Sequence, residues 1–274
     1  MDARPTVSRA GLWLRRILLA LVGLVVLLVL SLGGVIVYDA ATVVPVTAVA
    51  NVEIPGPEGL MLHGYLARPP DAGPHPAVLL IHEWWGLNAD ITALADALVA
   101  QGYVVLAPDA YRGQVGRTVP RALWLRLTTP AAQIAVDLDA AFGYLRSAEG
   151  VDAARTAAAG FCFGGGEALL LSLRQPAAIA ATVVYYGSVV TDPQRLETLS
   201  TPLLGIFGAE DAQIPVAEVR RFAAALETAG VPHQVTIYPG VGHAFLSSEN
   251  YAEPGPAGEA WQEMLAFLNA NLRP

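Results

Sequence analysis

A cysteine flanked by glycines lies in the second half of this 274-residue chain, in the segment Gly160-Phe-Cys162-Phe-Gly164. The segment falls between a short apolar run and a helix-like run, and a strained turn at such a junction pushes a nucleophilic side chain outwards. Glycine on each side lets the strand and the helix approach closely. The N–H groups at the start of the helix favour a thiolate. Cys162 is therefore a candidate nucleophile, and a buried, inert cysteine is the alternative.

Two side chains that complete a catalytic triad follow Cys162 along the chain. Asp211, in Gly208-Ala-Glu-Asp211, comes directly after an apolar run, where a carboxylate can orient a histidine. Two alternatives remain: Asp211 caps a helix that begins near Pro215, or Glu210 is the acid. His243 follows the last strand-like run with Gly242 beside it, whereas the other four histidines lie in the predicted hairpin region or at strand ends. The order nucleophile, acid, base is typical of hydrolases with a nucleophile elbow.

The elements that must position these residues alternate along the chain. The predicted strands are Val49–Ile54, Leu60–Ala67, Ala77–Ile81, Tyr103–Ala107, Thr156–Gly160, Ala180–Tyr186, Leu203–Phe207 and Val235–Tyr238. The predicted helices are Asp90–Gln101, Ala131–Arg146, Gly165–Leu173, Pro215–Ala229 and Glu259–Asn271. This alternation predicts a mostly parallel sheet with helices on both faces. In such a sheet, reactive residues belong to the loops at the carboxyl ends of the strands.

From about Val49 to Leu272, the sequence resembles the dienelactone hydrolase family. The matching segments are Ile81-His-Glu83-Trp-Trp-Gly86-Leu-Asn88, Pro108-Asp109-Ala-Tyr111-Arg112, Gly160-Phe-Cys162-Phe-Gly164-Gly165, Tyr185-Tyr186-Gly187, Gly208-Ala-Glu-Asp211 and Gly242-His243-Ala-Phe245. The resemblance implies an α/β-hydrolase fold and cleavage of ester or lactone bonds through a Cys-His-Asp triad and a covalent thioester. It also implies that Glu83 contacts the resting thiol and helps to deprotonate it. The backbone N–H groups of Trp84 and Phe163 would form the oxyanion hole.

The residues that would hold the substrate depart from the family pattern. Members that act on dienelactones bind the substrate carboxylate with arginines, but here Ala244 and Ser247 occupy the positions of a serine and one arginine. Arg112 is displaced by one residue from the position of the other arginine, so the clamp is incomplete. Arg112 is kept as a candidate substrate-binding residue. Aromatic candidates for an apolar acyl pocket, each with core packing as the alternative, are Trp84, Trp85, Tyr111 and Trp124.

Composition narrows the remaining function classes. The formal charge of −8 argues against nucleic acid as a partner. No cofactor and no metal are expected, because one cysteine cannot build a thiolate site and there is no HExxH motif. The sequence therefore predicts a carboxylic ester hydrolase acting on a small-molecule ester or lactone. The alternatives are a thioesterase or peptidase on the same scaffold and a catalytically silent binding protein.

An uncharged apolar run from Ile17 to Val37 predicts a membrane span. Its 21 residues, at about 1.5 Å each, cross a hydrocarbon layer of about 30 Å. The predicted organisation is a cytoplasmic tail (1–16), a transmembrane signal anchor (17–38), a linker (39–48) and a hydrolase domain (49–274). A buried core helix and a signal peptide cleaved near Ala48-Val49-Ala50 are the alternatives. The run is longer than the apolar region of a signal peptide, which favours an uncleaved anchor.

The charges around the run predict its orientation. Arg4, Arg9, Arg15 and Arg16 all precede it, so the positive-inside rule places the tail in the cytoplasm and the hydrolase domain on the extracytoplasmic side. Beyond Tyr38 the chain carries 23 acidic residues and 12 arginines. Because anionic headgroups repel an acidic domain, we expect the domain to be tethered to the membrane rather than to lie on it.

Overall fold

A computed structural model of the chain describes residues 9–273; residues 1–8 of the predicted tail, and Pro274, lie outside the described part. The strands are β1 (Val52–Pro55), β2 (Met61–Ala67), β3 (His75–Ile81), β4 (Val104–Pro108), β5 (Val151–Phe161), β6 (Ala181–Tyr185), β7 (Leu203–Gly208) and β8 (His233–Tyr238). The helices are α1 (Arg9–Thr42), α2 (Ala89–Val99), α3 (Val119–Thr128), α4 (Ala131–Ser147), α5 (Phe163–Arg174), α6 (Pro193–Leu196), α7 (Val216–Thr228) and α8 (Pro256–Leu272).

The strands form one sheet in the order β1-β2-β4-β3-β5-β6-β7-β8. From β4 to β8 every neighbouring pair is parallel. The antiparallel hairpin of β1 and β2, with Ile54 opposite Leu62, extends one edge. The prediction of a mostly parallel sheet and an N-terminal hairpin is confirmed.

Strand β3 shows how the sheet is covered on both faces. Val78 and Leu80 belong to a core that includes residues of α2 and α8, whereas Leu79 and Ile81 belong to a core that includes residues of α4 and α5. All four side chains are fully buried. A continuous apolar run is what a strand buried on both faces requires, and it places the end of β3 deep in the molecule.

Helix α3 falls where the sequence pattern predicts no helix. Thr118 and Pro120 are ordinary start signals. Only Ala122 and Leu125 are buried, however, while the outer face carries the apolar side chains of Leu123 and Leu127. Apolar residues on both faces of a helix remove the periodic contrast on which such a prediction rests.

The predicted span and linker differ from the structure at their junction. Helix α1 is long and apolar enough to cross a membrane, and it continues to Thr42. Asp39, predicted to begin the linker, is buried and accepts hydrogen bonds from the backbone N–H groups of Arg117 at 2.9 Å and Thr118 at 2.6 Å. Val46 is buried in the core beside α2 and α8. This segment is therefore packed against the domain, because a buried carboxylate and a buried valine fix it at two points.

Candidate active site

The carboxyl ends of four parallel strands bring the candidate residues together. Glu83 and Trp84 follow β3, Cys162 follows β5, Asp211 follows β7 and His243 follows β8. Because these strands point the same way, the loops meet at one edge of the sheet, where reactive groups are expected.

The turn at Cys162 has the strained backbone of a nucleophile elbow. Its φ and ψ angles are 53° and −115°, in a region that non-glycine residues seldom adopt. A Cβ atom on Gly160 would overlap the carbonyl of Gly164, and one on Gly164 would overlap the carbonyls at the end of β3. The glycines therefore let β5 and α5 approach while the thiol projects from the turn.

A chain of hydrogen bonds joins the three triad candidates. His243 Nε2 lies 3.0 Å from Cys162 Sγ, and His243 Nδ1 lies 2.8 Å from Asp211 Oδ2. Asp211 Oδ1 accepts the backbone N–H groups of Gln213 and Ile214 at 2.7 and 2.9 Å. Asp211 therefore contacts the histidine and holds the turn that precedes α7, but it does not cap that helix, which begins at Val216 after Pro215 with no side-chain cap. Glu210, the competing acid, is exposed.

The resting thiol is protonated at neutral pH. Burial, and after it the nearby charge of Glu83, raise the pKa of Cys162 to about 12. The backbone N–H groups of Phe163 and Trp84 act in the opposite direction and lower that pKa. The helix N-terminus favours the thiolate, as the sequence indicates, but burial and the neighbouring carboxylates have a larger, opposite effect on the pKa. These groups come from other parts of the fold, so the local sequence does not predict their effect.

Glu83 has an unusual environment for a carboxylate. Burial raises its pKa to about 7, the charge of Asp90 adds to the shift, and a hydrogen bond with the Trp85 side chain opposes it. Its buried Oε1 atom has no hydrogen-bond partner. His82, just before it, accepts the Ala110 N–H through Nε2, and burial lowers its pKa to about 4. A neutral His82 therefore helps to fix the loop that carries Glu83 and Trp84.

A small cavity of about 140 Å³ opens over the thiol. Its lining residues are Trp84, Arg126, Cys162, Phe163, Tyr186, Ser188, Gln213, Ile214 and His243. The sequence does not predict Arg126 as a site residue, because it belongs to α3, a helix that the sequence pattern does not indicate. Its guanidinium carbon lies 5.5 Å from the centre of the Phe163 ring, and no ion pair of Arg126 within 4 Å is found among residues 9–273. Its charge opposes the rise that burial causes in the pKa of Glu167. The one feature of the sequence that points to Arg126 is its position as a charged side chain between two apolar ones, Leu125 and Leu127.

Four of the proposed substrate-binding residues do not line this cavity. Tyr111 is fully buried and stacks on Phe163, so it supports the wall from behind. Arg112 is paired with Asp137 through bonds of 2.7 and 2.9 Å. Trp85 contacts Glu83, and Trp124 projects from the outer face of α3 with half of its surface exposed. Of the four aromatic candidates, Trp84 is the one that lines the cavity.

The sheet order and the elbow after β5 define an α/β-hydrolase. The sequence profile of the dienelactone hydrolase family matches residues 62–272, and the chain belongs to this family.

Known relatives agree with this membership. A provisionally named carboxymethylenebutenolidase of Methylorubrum extorquens is 31% identical over 229 residues, 78% of either chain. Another, from Aquifex aeolicus, is 30% identical over 225 residues, 78% of this chain and 96% of the relative. A crystal structure of a provisionally named dienelactone hydrolase from Klebsiella pneumoniae superposes with a TM-score of 0.71 at 31% identity, covering 79% of this chain and 96% of that one.

Proposed function

We propose that the protein hydrolyses carboxylic ester or lactone bonds with Cys162 as the nucleophile. The single observation that carries the proposal is the chain from Asp211 through His243 to the sulfur, with both N–O and N–S separations within hydrogen-bond range. The family and the names of the relatives, which refer to a lactone hydrolase, support the same reaction class.

The proposed reaction has two halves. His243 Nε2 accepts the thiol proton while Sγ bonds to the substrate carbonyl carbon, and the N–H groups of Trp84 and Phe163 hold the oxyanion. The carbon–oxygen bond then breaks, His243 returns the proton to the leaving oxygen, and a thioester remains on Cys162. Water loses a proton to His243 as its oxygen attacks the thioester carbon; the carbon–sulfur bond then breaks, and His243 returns the proton to Sγ. Asp211 keeps the imidazole in the required tautomer throughout.

Replacement of the nucleophile tests this reaction. Full-length Cys162→Ala in detergent should lose at least about 10³-fold in turnover of phenyl acetate, because the covalent path is removed. A matched Ser147→Ala variant, altered at the exposed end of α4, should retain wild-type turnover. A panel of lactones, thioesters and anilides distinguishes the bond class. Wild-type turnover by Cys162→Ala, with its circular dichroism unchanged, would contradict the mechanism.

We further propose that the substrate carries a carboxylate that pairs with Arg126. This arginine is the cation of the cavity lining, whereas Arg112 is already occupied by Asp137. Arg126→Gln should raise KM for 3-acetoxybenzoate about tenfold and leave KM for uncharged phenyl acetate within twofold. Equal effects on the two esters would show that the arginine does not recognise charge.

We also propose that α1 is a single-pass, uncleaved anchor and that the hydrolase domain, residues 49–274, lies on the extracytoplasmic side. The support is the length and apolar character of α1 and the arginines before its apolar run.

A further inference from the structure

The outer face of α3 is apolar and uncovered. Beyond α1, eight large apolar side chains are exposed among residues 43–273, and half of them lie on this one helix: Val119, Leu123, Trp124 and Leu127. Leu127 is 74% exposed. The opposite face of α3 is packed through Ala122 and Leu125, so the outer residues are not needed for the core. A contiguous apolar face of this kind marks a surface that contacts another apolar phase.

The position of α3 relative to α1 indicates that the apolar phase in contact with α3 is the membrane. Counted from Arg16, a hydrocarbon layer of about 30 Å is crossed in about 20 residues, which ends near Ile36. One helical turn further, the buried carboxylate of Asp39 binds the backbone at Thr118, directly before α3. Helix α3 therefore starts at the height where α1 leaves the hydrocarbon. The exposed Tyr38 ring at this level is typical of a membrane interface.

The local charge differs from that of the domain as a whole. From Ala110 to Val136 the sequence holds four arginines and no acidic residue, although the chain is acidic overall. Arg112 is paired with Asp137 and Arg126 lines the cavity. Arg117 and Arg121 lie beside the apolar face, and their guanidinium groups donate to the neutral side chains of Thr42 and Gln114, so neither forms an ion pair among residues 9–273. Leucine and tryptophan flanked by arginine are the composition of a helix that lies in the interface of an anionic bilayer.

We propose that the outer face of α3 binds the surface of the membrane that α1 crosses, with Leu123, Trp124 and Leu127 among the acyl chains and arginines at the anionic headgroups. The domain then lies on the bilayer instead of hanging from a tether. Since Arg126 of the same helix lines the cavity, the cavity is held next to the lipid surface. The proposal rests on α1 as a membrane span and is independent of the reaction at Cys162.

Nitroxide labels in the full-length protein test the proposal. The single native cysteine is first removed by Cys162→Ala, and a label is attached at Leu127→Cys or, as the matched control, at Thr228→Cys. Thr228 is exposed and ends α7, at the edge of the sheet opposite the site. In nanodiscs of phosphatidylcholine and phosphatidylglycerol, the label at 127 should relax faster with oxygen than with a water-soluble nickel chelate. The label at 228 should show the reverse order.

Each other outcome would overturn the proposal. Chelate access at 127 equal to that at 228 would place α3 in water. Protection of 127 from both reagents, with dipolar broadening that grows with labelled-protein density, would place a second copy of the chain on this face. Equal depth at 127 in discs of phosphatidylcholine alone would remove the role assigned to anionic headgroups.

Discussion

At the scale of single residues, some properties of the site follow from short sequence motifs, and others depend on contacts that only the folded chain makes. Cys162, Asp211 and His243 were predicted because each follows a recognisable strand and sits in a short motif. The protonation state of the thiol was not predictable, because it depends on burial and on Glu83, which reaches the site from β3. Arg126 and Tyr111 show the same limit, since no local pattern tells which side chain faces a cavity and which packs behind it.

The charge of Glu83 gives a prediction about the nucleophile. Glu83→Gln removes a negative charge, which stabilises the thiolate, so the pKa of Cys162 should fall by about one to two units. The rate of Cys162 alkylation by iodoacetamide, followed by mass spectrometry from pH 6 to 10, measures this shift. Alkylation at pH 8 should be faster in the variant than in the wild type.

The exposed carboxylate Glu210 supplies the control for this change. Glu210→Gln should leave the alkylation profile unchanged, because its charge is screened by solvent. Slower alkylation of Glu83→Gln would contradict the field effect and would instead identify Glu83 as the acceptor of the thiol proton, the role implied by the resemblance to the family.

At the scale of elements, the sheet was easier to predict than its connections. Continuous apolar runs such as Ala77–Ile81 identify buried strands. Helix α3 and the end of α1 escaped prediction because their apolar residues face outward or meet partners distant in sequence. Asp39 and Thr118 are separated by 79 positions, yet the aspartate carboxylate binds both the backbone N–H and the hydroxyl of the threonine.

This junction can be tested by proteolysis. Asp39→Ala leaves the N–H groups of Arg117 and Thr118 without their acceptor, at a cost of about 1–3 kcal/mol. Local opening should therefore increase, and trypsin cleavage after Arg117 and Arg121 should become about tenfold faster. Peptide mass spectrometry of short digests measures the rate.

Asp192 offers a comparable cap elsewhere in the fold. Its side chain accepts the Gln194 N–H at the start of α6. Asp192→Ala should not change cleavage after Arg117, whereas equal acceleration in both variants would mean that Asp39 acts through global stability and not through the junction with α3.

At the scale of the whole molecule, an apolar N-terminal helix is fixed to an acidic hydrolase domain. The net charge predicts a domain that anionic headgroups repel, whereas the proposed membrane contact of α3 depends on the uneven distribution of charge, in which the basic segment at 110–136 lies beside α1. A summed charge says nothing about which face a fold turns toward the membrane. The fold class itself was predictable, because alternation of strands and helices extends over the whole domain.

The orientation of the chain gives a prediction at this scale. Alkaline phosphatase fused to the C-terminus should be active, because the arginines before the apolar run of α1 hold the N-terminus in the cytoplasm. A cytoplasmic reporter fused at the same position should be inactive. The opposite pattern would reverse the topology, and loss of α1 from the mature protein on mass spectrometry would replace the anchor with a cleaved signal.

The central claim, a covalent acyl intermediate on Cys162, is tested most directly by rapid-quench mass spectrometry of the full-length protein mixed with phenyl acetate. The account predicts a transient mass gain of one acetyl group on the peptide that contains Cys162. It also predicts no gain in Cys162→Ala. Hydrolysis at the wild-type rate with no acyl group on this peptide at any quench time, or an acyl group on another residue, would contradict it.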